Sequence, residues 1–162
     1  MGTSGSSDGG QSPGTSGSSG SSSSDENCHN AGVQSIWENY GQGVAGCNGI
    51  PGLTMSGVPK LQTDPIIIID NQGPPLTCGL FWSWTQGELY VPFLGGDILV
   101  GLPIIVAVTY TVPDGGFDFA CAISSDCSQI GWELYLQLLC IDGCSPAGFS
   151  MSRGLRFRIG DL

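Results

Sequence analysis

The sequence predicts an all-β protein: a mainly antiparallel β-sandwich of about eight strands, jelly-roll-like or immunoglobulin-like. Three observations lead there. Short runs rich in β-branched and aromatic residues recur at roughly 10–15-residue spacing, separated by Gly, Pro, Asn and Asp. No long helical pattern lies between any two of them, so the crossovers that parallel strands need are missing. With 27 Gly and 10 Pro but only 11% charged residues among 162, the composition suits turns and strands better than helices.

The elements follow in order. Residues 1–27 hold 7 Gly and 11 Ser and no aromatic residue, Leu, Ile or Val. Such a stretch cannot bury enough apolar surface to offset the entropy of ordering. It reads as a linker or stalk, or an appended tag, and lacks the basic start and apolar stretch of a signal peptide. Residues 28–162 form the expected disulfide-containing domain. In residues 33–40, Val33, Ile36, Trp37 and Tyr40 fall at the spacing of one helix face, predicting a short helical turn ended by Gly41 and Gly43.

Strands are expected over residues 66–69, four successive isoleucines, and over 76–85 and 89–93 around a turn at Gln86-Gly87. Residues 97–100 and 104–112 follow, the latter (IIVAVTYTV) being the strongest strand signal. Then come 117–124, 132–141 and 154–159. Period-2 alternation places Trp132, Leu134, Leu136 and Leu138 on one face of their strand, and Glu133, Tyr135 and Gln137 on the other. In the last strand Leu155, Phe157 and Ile159 point one way, Arg156 and Arg158 the other. Antiparallel pairing of these two strands would set Glu133 against an arginine. The arginines serve either charge balance on a terminal strand or a cation-lined ligand surface, and the former is the simpler reading.

Seven cysteines in a chain with few charges point to an oxidising compartment. Spacing makes Cys121 with Cys127, Cys140 with Cys144, and Cys28 with Cys47 candidate disulfides, with Cys127 to Cys144 an open alternative and Cys78 left over. Connectivity does not follow from spacing. Zinc would require a second pair matching Cys140-x₃-Cys144, and the only histidine, His29, adjoins the Ser/Gly tail.

Charge and motifs exclude several functions. A net charge of −10 argues against nucleic acid and anionic lipid as partners. The longest apolar stretch, residues 98–108, is far short of the about 20 residues of a spanning helix. One histidine leaves little scope for nucleophilic triads, and the acids Asp70, Asp97, Asp114, Asp126 and Asp142 sit mainly where turns favour Asp. No catalytic site and no required cofactor are therefore expected. Asp114 and Asp118 are weak candidates for Ca²⁺ ligation, ordinary turn chemistry being the simpler account. Trp82, Trp84 and Tyr90 form a candidate aromatic row for stacking on sugar rings, unless they are core.

Several short motifs carry a resemblance: Tyr40-Gly41-x-Gly43 with Gly46-Cys47, Pro51-x-Leu53-x₃-Gly57-x-Pro59, Cys121, Leu134-Tyr135-Leu136-Gln137 with Asp142, and residues 152–160. Together they resemble a β-sandwich domain found near the C-terminal ends of exported proteins of planctomycete-type bacteria. The Cys140/Cys144 pair and the polyisoleucine strand depart from that pattern. The resemblance implies secretion or surface display in an accessory role and supplies no catalytic residues. The expectation is a non-catalytic extracellular module for adhesion or self-assembly, in a surface layer, fibre or coat, partnered by itself or another assembly protein. A carbohydrate-binding module, with or without Ca²⁺, is the alternative.

Overall fold

The computed structural model describes Gly2, Cys28 and residues 32–162; the Ser/Gly tail (Gly2 aside) and His29 lie outside the described residues. The described residues form eleven strands: β1 (Ile36–Tyr40), β2 (Gly52–Ser56), β3 (Ile66–Asp70), β4 (Leu76–Ser83), β5 (Gln86–Val91), β6 (Gly96–Val100), β7 (Val106–Val112), β8 (Phe117–Ala120), β9 (Glu133–Ile141), β10 (Phe149–Met151) and β11 (Gly154–Arg158). The 3₁₀ turn Cys127–Gln129 is capped by the Asp126 carboxylate accepting from Ser128 N at 2.9 Å.

All strand pairs are antiparallel. The large sheet runs β1-β11-β9-β4-β7, with β10 added to β9; β2-β3-β8 make a second sheet, and β5-β6 a separate hairpin. The sandwich forms because both sheets present apolar residues at every second position. Cys78, Leu80, Leu136, Leu138, Cys140, Leu155 and Phe157 of the large sheet pack with Leu53, Met55, Ile67 and Ile69 of the small one. The isoleucine strand obeys the same alternation: Ile67 and Ile69 are buried, whereas Ile66 is exposed and Ile68 half-buried.

On the outer face of the large sheet, β9 presents Gln137, which is fully buried and fully employed. Its Oε1 accepts from Leu99 N at 2.9 Å, and its Nε2 donates to Asp97 O at 3.0 Å and Ser152 O at 3.2 Å. Tyr40 Oη donates to Leu99 O at 2.6 Å from the other side. These bonds hold the β5-β6 hairpin against the sheet, a role the bare alternation of β9 did not specify. Gly154 permits the arrangement, since a Cβ there would run into the Tyr40 ring.

Several sequence expectations are corrected. The predicted helical turn is β1, paired over five residues with β11 from Ile36↔Arg158 to Tyr40↔Gly154. A lone helix of eight residues is marginal in water, and the sheet edge supplies partners the helix lacks. Eight expected strands become eleven because β1, β2 and β10 are too short or too mixed to stand out. Gln86 and Gly87 belong to β5, with a register shift between Gln86 and Leu89, so the chain reverses at Trp84-Thr85.

The disulfides are also repartnered. Cys28 joins Cys127, Cys47 joins Cys144, and Cys78 joins Cys140, leaving Cys121 as the free thiol. Cys78 and Cys140 are direct cross-strand neighbours in the β4-β9 register, a relation invisible to spacing. The three bridges join residues 62 to 99 apart, so each restricts the unfolded chain strongly; in the chain-entropy account such loops are worth about 4–5 kcal/mol, less where they overlap. Thiol titration of the denatured, unreduced protein should therefore find one thiol per chain, at Cys121, and reduction should lower the unfolding midpoint markedly. Finding seven thiols without reduction would refute this framework.

Candidate functional site

Two features of the sandwich are left unfinished by its own packing, and they share strand β4. The first is an aromatic mouth at one end of the core. Trp82 is the last inward-facing residue of β4, Trp84 follows in the reversal, and Trp132 immediately precedes β9 with the same parity as Leu134 and Leu136. Antiparallel pairing of β4 with β9 brings the three together. Trp84 stands edge-to-face with Trp82 at 5.3 Å and with Trp132 at 5.1 Å between ring centroids. Trp82 is half-buried against the core, while Trp84 and Trp132 are 42% and 41% exposed. Trp84 and Trp132 line a shallow cavity of about 150 Å³ together with Leu134, Phe157, Gln129 and Cys121. Burial pushes the Cys121 thiol above its ordinary value, the reverse of what a nucleophilic cysteine needs.

The expected row of Trp82, Trp84 and Tyr90 is thus split. Tyr90 is 61% exposed on β5, and among the described residues its ring contacts neither tryptophan. The reversal at Trp84-Thr85 sends β5 to the outer face, while Trp82 and Trp84 stay on the inner one. Trp132 takes the third place. Its parity was legible, but not the pairing that carries it to Trp84.

The second feature is β7. Among the described residues it pairs with β4 alone, in unbroken register from Leu76↔Val112 to Trp82↔Val106, and its other side is a sheet edge. Its sequence, VAVTYTV, has no charge and no proline. Tyr110 packs against Phe117 and Phe119, with centroids 5.4 and 6.3 Å away, so the β8 edge of the small sheet lies along the same flank. Val108, Thr109 and Thr111 are exposed.

The arginines are engaged by the protein itself. Arg156 bridges Glu38 and Glu133, both at 2.9 Å, and Arg158 reaches the same Glu133 oxygen at 2.7 Å. Tyr135 Oη donates to the second Glu133 oxygen at 2.6 Å. Arg153 donates to the carbonyls of Gly41 and Asn39. The antiparallel β9-β11 register opposes Arg158 to Glu133, as alternation predicted. This network is charge balance on the sheet face.

Asp114 and Asp118 belong to no grouping of three or more potential ligands among the described residues. Asp114 lies in the β7-β8 turn and Asp118 on β8 opposite Ile68, both exposed. Among the described residues, the grouping of three potential ligands is Cys47, Asp142 and Cys144, whose ligand atoms lie within 4.8 Å of one another. Its two sulfurs are bonded to each other. Asp142 is buried and accepts from Cys47 N and Cys144 N at 3.1–3.2 Å, clamping the two loops that the disulfide joins.

The hydrogen bond from Arg156, followed by that from Tyr135, holds Glu133 down at about 2 from its ordinary 4.5. A depressed carboxylate stabilises the fold above its unfolded value and loses that contribution as pH falls toward its folded one. The stability difference between wild type and Glu133→Gln should therefore be constant near neutral pH and shrink between about pH 4.5 and 2 in urea titrations. The pairs are part-exposed, so the difference should be of the order of 1 kcal/mol. A pH-independent difference would contradict the assignment.

Comparison with known protein families, curated proteins and solved structures finds none that matches this chain.

Proposed function

We propose that this protein is a non-catalytic extracellular module that self-assembles by pairing the open β7 edge with the β7 edge of a second copy. The observation that carries the reading is the condition of that edge. Sheet proteins ordinarily guard an open edge with lysine, proline, a bulge or a covering loop. β7 offers seven residues in regular register with none of the first three. Two such edges meet antiparallel across a two-fold axis, each supplying the backbone donors and acceptors that the other lacks. The opposite edge, β1, carries exposed Glu38, tied into the arginine network.

Three disulfides fit maturation in an oxidising compartment. Among the described residues no helix is long and apolar enough to cross a membrane. Display outside the cell is also what the resemblance to sandwich domains of exported planctomycete-type proteins implies. The exposed Leu89, Tyr90 and Phe93 of the β5-β6 hairpin offer a further apolar surface for adhesion.

The net charge of −10 sets copies against each other at long range, and salt screens that repulsion. Sedimentation equilibrium should show a dimer that tightens between about 0.05 and 0.5 M salt. Thr109→Lys should weaken it at least about tenfold. Lysine makes the chain less acidic, so a general charge effect would strengthen association; only blockage of the edge weakens it. Gln34→Lys, exposed and remote from β7 in the sheet order, is the matched control and should leave association equal or stronger. A wild type that stays monomeric at both salts, or an assembly indifferent to Thr109→Lys, would overturn the proposal.

A further inference from the structure

The aromatic mouth is independent of the β7 edge and has a chemistry of its own. Three properties define what it accepts. First, its rings are preorganised: Trp84 is held edge-to-face between Trp82 and Trp132, so the exposed faces do not have to be ordered on binding. Second, its free polar groups are neutral. The side-chain amide of Gln129 and the indole N–H groups of Trp84 and Trp132 make no hydrogen bond to another described residue, and none of them is a buried orphan. Third, among the described residues no charged side chain lines the cavity.

We propose that this mouth binds a neutral sugar, one pyranose ring stacking on the exposed indoles while its hydroxyls meet the Gln129 amide and the indole N–H donors. An aliphatic side chain would use the ring faces but leave those donors without partners, and a pyranose satisfies both because its C–H faces are apolar and its rim is polar. Anionic sugars are disfavoured twice: the site offers no cation, and the chain carries −10. The cavity of about 150 Å³ is shallow and open, suited to one ring of a longer chain running across it rather than to an enclosed monosaccharide. Binding adds no covalent step, and Cys121 serves only as wall.

Tryptophan emission and calorimetry with cellohexaose, chitohexaose and mannohexaose, alongside hexagalacturonate as the anionic counterpart, test the site. At least one neutral oligosaccharide should shift the emission saturably. Trp84→Ala and Trp132→Ala should each weaken it about tenfold or more, as expected for loss of an aromatic stack. Tyr90→Ala should leave it unchanged. Gln129→Ala removes no ring and should weaken binding with all four tryptophans in place, which keeps the test valid if a tryptophan variant fails to fold. Absence of saturable binding by all three neutral chains, equal binding of hexagalacturonate, or binding that survives loss of both tryptophans would each overturn the proposal. The Thr109→Lys variant should bind the sugar as the wild type does, which separates this site from self-association.

Discussion

The fold turns on one strand. β9 pairs with β4, β11 and β10, and its strict alternation assigns opposite tasks to its two faces. Leu134, Leu136, Leu138 and Cys140 face the small sheet and join the apolar core. Glu133, Tyr135 and Gln137, facing outward, hold respectively the arginine network, the ring of Tyr40 and the β5-β6 hairpin. A slip of one residue in register would put Gln137 in the core and Leu136 and Leu138 against the carbonyls that Gln137 now satisfies. Both exchanges are unfavourable, the first because a buried amide without partners costs on the order of 1–3 kcal/mol. The Cys78–Cys140 bridge sits on that same register and permits no slip while it is intact.

What was legible in the sequence was what alternation encodes. The faces of β9 and β11, the Glu133–arginine opposition and the strength of β7 all follow from period-2 patterns in contiguous residues. Relations between distant segments were not legible. Cys78 looked unpaired because its partner is 62 residues away, and Cys121 looked paired because Cys127 is near in sequence. Residues 33–40 have helical spacing by coincidence: in β1 the same residues divide between two faces, and five of them find register partners on β11. The aromatic mouth failed to appear for the same reason. Trp82 and Trp84 were visible together, but Trp132 joins them only through the β4-β9 pairing.

The resolution of Asp142 shows how a candidate ligand becomes structure. A buried carboxylate beside two sulfurs has the composition of a metal site. Here each participant already has a partner: the sulfurs bond each other, and the carboxylate accepts backbone N–H groups from Cys47 and Cys144. Gly46 is part of the same fit, because a Cβ at that position would collide with the Asp142 carboxylate. The disulfide and the hydrogen bonds therefore reinforce one another, each holding the loops where the other can form.

On the proposed reading, the charge distribution also limits what kind of assembly results. The four cations are Lys60, Arg153, Arg156 and Arg158, and residues 61–152 contain none. The three arginines gather on β11 and the residue before it, beside β1, leaving the β7 flank without positive charge to attract an acidic neighbour. Pairing there has to come from backbone hydrogen bonds and apolar contact at short range. A fibre growing through the large sheet would need β7 of one copy to meet β1 of the next, and β1 presents Glu38, whose partner Arg156 is already shared with Glu133. Pairing like with like across a two-fold axis avoids that mismatch and leaves no second open β7 edge. On that reading a closed dimer is the unit of assembly, and the aromatic mouth, whose lining holds no β7 residue, stays clear of the paired edge.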